Sequence, residues 1–297
     1  MKKFQGTISI IGKPNVGKSS LINTIFDDKI SIVNQKPQTT RNQISSEFIS
    51  DQYDIQFIDT PGFHNERNKL DAFLNSEVKT SLKSAELIYF LCDPTRPLDD
   101  EDYRLLNLVK RYDTPIILVV TKMDIVDYTA ITLLIDKLSN EYNFVTSTAI
   151  TTFDPNTIYN LLKLSEPYLT LIDVPKYMES NSSFEKDLFL IKEIIREQCL
   201  NLLHQEVPYG IAVLIESYEY IPERNIFNIS ASLNVEKESQ KKIIIGVNGS
   251  MIKEIGTKAR QELLKIYDSK IFLKLYVKVA KNWRDDNTKL KEFGYSH

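Results

Sequence analysis

Glycine is scarce in this chain, nine residues in 297, under half the usual share of about 7%. Cysteine is scarcer still. Cys92 and Cys199 lie in apolar surroundings without ligand spacing, so they read as reduced core residues of a cytosolic-type protein. Long apolar runs are missing as well. "LIYFLC" and "PIILVV" have the length of strands, far short of the roughly 18 residues a membrane-spanning helix needs. The start, "MKKFQG", leads directly into strand-like "TISIIG" and leaves no room for a secretory or transit segment. No internal repeat or low-complexity tract is present.

What is there fits a soluble globular protein: 42% apolar and 26% charged residues, in a chain long enough for two cores. The net charge of −3 argues against a polyanion partner, but it is unevenly spread. Residues 237–297 carry 14 basic and 7 acidic side chains, a localised basic segment on an acidic chain. The first half alternates strand and helix patterns, the mark of a parallel α/β sheet. Strands are expected at 7–12, 54–59, 87–92, 116–121 and 143–147, with an antiparallel edge strand near 42–50. Helices are expected at 18–27, 68–84, 100–112, 128–141 and 155–165. Two prolines and a Ser/Asn cluster mark a linker, placed at 168–183. A helix from Phe184 follows, then the strand-like runs "YGIAVLIESYEY" and "IFNISASLNV". After "KKIIIG" comes a helix over about 251–268, and then "KIFLKLYVKV", apolar on one face and aromatic and basic on the other.

Five of the nine glycines fall in three short motifs. "GKPNVGKS" comprises Gly12, Lys13, Pro14, Asn15, Val16, Gly17, Lys18 and Ser19, followed by Ser20. It matches G-x-x-x-x-G-K-[ST] between a strand and a helix. Such a loop aims backbone N–H groups and a helix N-terminus at phosphate oxygens; Lys18 would reach the β- and γ-phosphates and Ser19 would ligate Mg2+. Asp59, Thr60, Pro61 and Gly62 end the strand 54–59. There Asp59 would hold the metal through water, and Gly62 would offer its N–H to the γ-phosphate. Thr121, Lys122 and Asp124 form "TKMD". Asp124 would accept from the guanine N1–H and amine, which adenine cannot supply, and Lys122 would lay its stem along the base. Thr121 stands where asparagine is usual. A purine loop is expected after strand 143–147, at Thr148-Ala149 or, less favoured, Ser147-Thr148. Thr40, in preference to Thr39, would complete the metal shell. The catalytic set read from these motifs is Lys18, Thr40 and Gly62. Phe63 occupies the position of the usual water-orienting glutamine, and a phenyl ring has no hydrogen bond to offer.

These motifs, with "PQTTR", "EIIREQ", "EKESQKKIIIGVNGSMIKEIGTKAR" and the ending "VKVAKNWRDD…LKEFGY", resemble the Era-type bacterial GTPases that carry a C-terminal KH domain. The resemblance spans nearly the whole chain. It implies an α/β P-loop GTPase domain with a mostly parallel sheet at 1–167, a linker at 168–183, and an α+β type II KH domain at 184–297. It further implies a GxxG loop, Gly246-Val247-Asn248-Gly249, clamping the backbone of single-stranded RNA. Lys242, Lys253, Lys258, Lys274 and Lys278 would supply charge, since Val247 and Asn248 are neutral where a basic residue is usual. Gly256 is expected to permit close helix packing. By resemblance the ligands are GTP and GDP, the partners are the 3′ end of 16S rRNA and the 30S subunit, and the process is 30S assembly. A cytoplasmic monomer is expected, with peripheral contact at the inner membrane. Phe63 conforms to a GTPase group with a hydrophobic residue at that place. Asn15 resembles a K+-ligating asparagine, which would add it to the catalytic set, the other reading being a loop hydrogen-bond former. The alternatives are an RNA-binding scaffold with negligible turnover, and a GTPase serving tRNA modification or metal uptake.

Overall fold

The apolar runs of the first half become strands whose successive side chains enter opposite cores. The computed structural model describes residues 2–27, 40–63, 66–173 and 184–295. It divides into two units, residues 1–67 with 71–179, and residues 68–70 with 180–297. In chain order the first unit holds β1 (Lys2–Ile11), α1 (Lys18–Phe26), β2 (Ile44–Ile49), β3 (Tyr53–Asp59), α2 (Lys69–Ser84) and β4 (Leu87–Cys92). It continues with α3 (Asp100–Val109), β5 (Ile116–Val120), α4 (Tyr128–Glu141), β6 (Thr146–Ala149), α5 (Pro155–Ser165) and β7 (Thr170–Asp173). The sheet order is β2-β3-β1-β4-β5-β6, with β7 beside β1. The pairs β1/β3, β1/β4, β4/β5 and β5/β6 are parallel, and β2/β3 is antiparallel.

Period two explains the continuous hydrophobicity of these strands. Ile8, Ile10, Tyr89, Leu91, Ile117 and Val119 face one core, closed by α1 and α5. Ile11, Ile88, Phe90, Leu118 and Val120 face the other, closed by α2, α3 and α4. Each fully buried side chain of this kind contributes about 1.5–3 kcal/mol. The sheet therefore fixes the positions of the loops at its C-terminal edge. Because β1 lies between β3 and β4, the connections from β1 to β3 and from β3 to β4 pass on opposite sides of it, the topological switch at which such sheets bind ligands.

Most helix limits follow from caps. Asp99 accepts from the Glu101 and Asp102 N–H groups and forms a capping box with Asp102. Asp154 caps α5, which has proline at its first position. The strands depart from expectation in two places. β1 starts at Lys2 rather than residue 7, because residues 2–5 pair antiparallel with β7 and residues 4–6 also pair parallel with β3. β7 falls inside the segment expected as linker, of which residues 174–183 lie outside the described residues. β6 is displaced toward the C-terminus. Phe144, the strongest apolar signal there, packs against the second core from the lead-in turn, and the short polar residues Thr146–Ala149 form the strand.

The second unit holds α6 (Phe184–Leu202), β8 (Ala212–Ile221), β9 (Ile226–Val235), α7 (Glu238–Ile245), α8 (Ser250–Ile266), β10 (Lys270–Val279) and α9 (Asn287–Glu292). "KKIIIG" is thus the end of a helix. β9 is central, parallel to β10 and antiparallel to β8. Ile191, Ile195 and Cys199 of α6 and Ile255, Ala259 and Leu263 of α8 pack on the apolar face of this sheet. Within "EIIREQ", Glu193 and Arg196 form a buried ion pair. The C-terminal motif seals the unit: buried Trp283 donates its indole N–H to the Gly210 carbonyl at 3.0 Å and stacks with Tyr295. Gly256 does not serve the tight packing expected of it. A Cβ there would come no closer than 3.5 Å to Leu275, an ordinary contact.

Candidate nucleotide and RNA sites

The loop after β1 has the geometry of an anion cradle. Gly17, at φ 106°, caps α1 without any side-chain hydrogen bond, so that helix start keeps its N–H groups for a ligand. Gly12 has no room for a side chain: a Cβ would lie 2.7 Å from Val16 and 2.9 Å from the Leu91 carbonyl. Lys18 is buried, and its ammonium donates to the carbonyls of Gly12 at 2.9 Å and Lys13 at 2.8 Å. Burial pulls its pKa down to about 8, against the opposing pull of Asp59. Asn15 is held at φ 64°, and Val16 is a core residue. Ser20 lies in the first turn of α1.

Three oxygens converge beside this loop. Ser19 donates to Asp59 Oδ2 at 2.8 Å, while Thr40 Oγ1 lies 3.1 Å from Ser19 Oγ and 3.4 Å from the same carboxylate oxygen. Two hydroxyls and one carboxylate form a hard-oxygen set that fits Mg2+, which keeps water and phosphate oxygens as its other ligands. Among the described residues no group of three or more His, Cys, Asp or Glu could hold a metal. Thr40 takes the expected position; Thr39 lies outside the described residues. Thr60 turns back into the fold and donates to the Ile10 carbonyl at 2.8 Å. Gly62 lies against the phosphate loop, where a Cβ would meet Pro14 at 2.5 Å. Pro61 is buried beside it. Phe63, half-buried, leans on the second core.

At the adjoining strand ends, Thr121 takes over a joint between loops. Its hydroxyl faces the carbonyls of Val16 at 2.8 Å and Cys92 at 3.1 Å, and its single proton is shared between them. Lys122 adopts a left-handed backbone, φ 55°, and its ammonium pairs with Asp93. Asp124 is exposed in the turn that follows. Thr148 and Ala149, expected to cover the purine, are the last two residues of β6 and reach the same sheet edge as the "TKMD" turn that follows β5. They are in register with Val119 and Val120, and Ser147 is opposite Leu118. The turn that leaves the strand is Ile150–Asp154, tied to the "TKMD" turn by the Met123 N–H to the Ile150 carbonyl at 3.2 Å. Asp93 was missed entirely, although "CDPT" places an acid just past a buried strand at the same sheet edge.

In the second unit, Gly246 (φ 72°, ψ 177°) and Asn248 (φ 51°) shape the loop before α8. Gly249 (φ 77°) caps α8, again without a side-chain bond. Val247 is 80% exposed. Lys242 and Lys253 are exposed on the flanking helices, and Lys258 pairs with Glu254 at 3.6 Å. Lys274 and Lys278 are not brought to this loop. They alternate with the β10 residues that face the helices, so they project from the opposite side of the sheet. There Lys278 pairs with Glu216 at 2.6 Å and Lys274 lies over the Tyr276 ring.

Comparison with known proteins agrees with this division. The family described as 50S ribosome-binding GTPase matches residues 7–122, and the KH domain family matches residues 206–284. GTPase Era of Ureaplasma parvum serovar 3 is 43% identical over 297 residues, covering 99% of both chains. GTPase Era of Thermoanaerobacter sp. is 39% identical over 293 residues, covering 98% of this chain and 96% of that protein. A crystal structure of Era with MgGDPNP and nucleotides 1506–1542 of 16S ribosomal RNA superposes with a TM-score of 0.93 at 32% identity, covering 99% of this chain and 100% of that one. Aquifex aeolicus Era bound to GDP and aluminium fluoride gives 0.90 at 33% identity, with the same coverage.

Proposed function

The chain belongs to the Era family of GTPases, and we propose that it is a GTP-hydrolysing switch that binds the 3′ end of 16S rRNA and acts in 30S subunit assembly. The observation that carries this reading is the pairing of an enclosed phosphate loop with an open GxxG loop in one chain. The backbone of Gly12–Ser19 and the uncapped start of α1 receive the phosphates. Lys18 exchanges the carbonyls of Gly12 and Lys13 for β- and γ-phosphate oxygens and regains its full charge there. Ser19, Thr40 and Asp59 hold Mg2+, which when bound neutralises charge on the phosphate oxygens. Gly62 offers its N–H to the γ-phosphate. Asp124 reads guanine, Lys122 supports the base, and Thr148-Ala149, at the end of β6, cover it.

Turnover is slow, because Phe63 is committed to the core and positions no water. K+ held by Asn15, or a partner, supplies the missing charge. The left-handed backbone of Asn15 in the phosphate loop supports this role. Single-turnover GTP cleavage in KCl is expected to exceed that in NaCl, and Asn15→Ala is expected to remove the difference. Equal rates in the two salts for the parent protein rule out the ion. No cleavage in either salt, with or without RNA, leaves a nucleotide-regulated RNA scaffold.

On the RNA side, Gly246–Gly249 with Lys242 and Lys253 clamp the strand, and Lys258 adds charge from α8. Lys274 and Lys278 contact RNA only where it reaches the far side of the sheet. The protein acts as a cytoplasmic monomer, and its basic segment at 237–297 gives peripheral contact with the inner membrane. Among the described residues no helix is long and apolar enough to cross one. Co-sedimentation with anionic vesicles tests that contact, and no co-sedimentation at low salt rules it out.

A further inference from the structure

The connection between β4 and α3, "DPTRPLD" at 93–99, has no part in the roles assigned so far, yet both its ends grip lysines of the nucleotide site. Asp93 follows β4 directly, and Lys122 stands two residues past β5. The two strands are parallel neighbours with Cys92 opposite Val120, which brings these residues together at the sheet edge. The Asp93 side chain is only 7% exposed. Its Oδ2 accepts from the Lys122 ammonium. Its Oδ1 accepts from the Thr95 N–H at 2.9 Å and the Thr95 hydroxyl at 2.6 Å, which fixes the carboxylate plane.

The rest of the loop is closed on itself. Arg96 forks onto Asp102, with bonds of 2.6 and 2.9 Å, and Asp102 Oδ2 accepts from the Asp99 N–H at 3.0 Å. Lys13 pairs with Asp99, with Glu101 at 3.3 Å and Asp102 at 3.9 Å, so the loop is also tied to the phosphate loop. Asp93 is therefore mounted on a rigid frame. Lys122 is fixed at both ends, by its left-handed backbone and by its ammonium, and only the methylene stem between them is left for a base to lie on.

We propose that Asp93 is a positioning residue for guanine-nucleotide binding, holding the Lys122 stem in its base-supporting conformation before the nucleotide arrives. Asp93 touches no nucleotide atom and acts only through Lys122. Lysine carries large rotamer entropy, so a stem already ordered binds more tightly than a free one. The inference rests on the reading of the "TKMD" turn as the guanine site.

The test is calorimetric titration of GDP and of a non-hydrolysable GTP analogue, in Mg2+ buffer, into the full-length chain. The variants are Asp93→Asn, Lys122→Met and the double substitution, with thermal melts run in parallel. Asp93→Asn keeps the shape and the Thr95 contacts while weakening the hold on Lys122. It is expected to raise both dissociation constants by the same factor, about tenfold, and to change nothing further in the Lys122→Met background. Asp93→Glu, which keeps the charge, is expected to recover part of the loss. An unchanged affinity in Asp93→Asn overturns the proposal. So does an equal loss with and without Lys122, which would make Asp93 a prop of the loop and not of the lysine. Asp124→Asn is the control for the site itself. If that variant binds GDP as tightly as the parent, the guanine site is misplaced and the proposal falls with it; if it weakens, a failure at Asp93 is its own.

Discussion

Two loops in this molecule use the same device and differ in what surrounds it. In each, a glycine with positive φ caps a helix and leaves its first N–H groups without a side-chain partner: Gly17 before α1 and Gly249 before α8. Around the first, everything is close. Gly12 and Gly62 have no room for a Cβ, Lys18 is buried, and Ser19, Thr40 and Asp59 converge within hydrogen-bonding distance. Around the second there is open space: a Cβ on Gly249 would meet nothing within 4 Å, and Val247 is largely exposed. The helix N-terminus confers affinity for phosphate, and the enclosure decides which phosphate. A walled loop with a buried cation and a metal-binding oxygen set suits the compact charge of a nucleotide. An open loop suits a backbone that enters and leaves on either side.

The largest effect that sharpens this contrast belongs to Lys18. Lys18→Ala is expected to lower GTP cleavage at least about a hundredfold and to leave RNA binding in the absence of nucleotide unchanged. The buried lysine also has a protonation signature. Its pKa in the nucleotide-free fold is pulled down to about 8, so at about pH 8.5 it is largely neutral, and an arriving polyphosphate raises that pKa again. GDP binding near that pH should therefore take up a proton, read by calorimetry in buffers of different ionisation enthalpy. Near pH 7 the uptake should be small, since Lys18 is already mostly charged, and Lys18→Ala should abolish it at both. For stability the same shift acts in the other direction. The unfolded lysine binds its proton more tightly, so the cost of burying Lys18 is full below about pH 8 and is relieved as pH rises toward 10.5. The smallest effect belongs to Gly256, a glycine that serves no ligand. With room for a methyl beside Leu275, Gly256→Ala should stabilise α8 by about 0.5–1 kcal/mol. A raised melting temperature with unchanged RNA affinity would confirm its neutrality.

The sequence carried the parts of this fold that repeat a local pattern. Helices α3 and α5 could be read to within a few residues because Asp99, Asp154 and Pro155 mark their starts and the apolar spacing does the rest. Gly12–Ser19, Asp59 and Asp124 were legible because their chemistry demands fixed residues after strands. What stayed hidden depends on neighbours distant in sequence. The first residues of β1 are extended because β7 returns beside residues 2–5 and β3 beside residues 4–6, partners that the local sequence does not show. The strand β6 was placed too early because its residues Thr146–Ala149 are short and polar; only their register with Ile117–Val120 puts them in the sheet, with Thr148-Ala149 at its end. Asp93 meets Lys122 because β4 adjoins β5, which the motifs do not state. Lys274 and Lys278 matched a basic RNA face in composition, but strand alternation turns them away from the loop they were meant to serve.

The central claim is that the two glycine loops are separate phosphate-binding devices, one for a nucleotide and one for RNA. Gly246→Ala tests it most directly. At φ 72° and ψ 177° that backbone is open almost only to glycine, and a Cβ would lie 2.8 Å from Met251. RNA of the 16S 3′-terminal sequence and GDP are titrated into the parent and the variant, with thermal melts as a control on folding. The account predicts that RNA affinity falls at least about tenfold while GDP affinity does not move. Unchanged RNA affinity in a folded Gly246→Ala variant would contradict it.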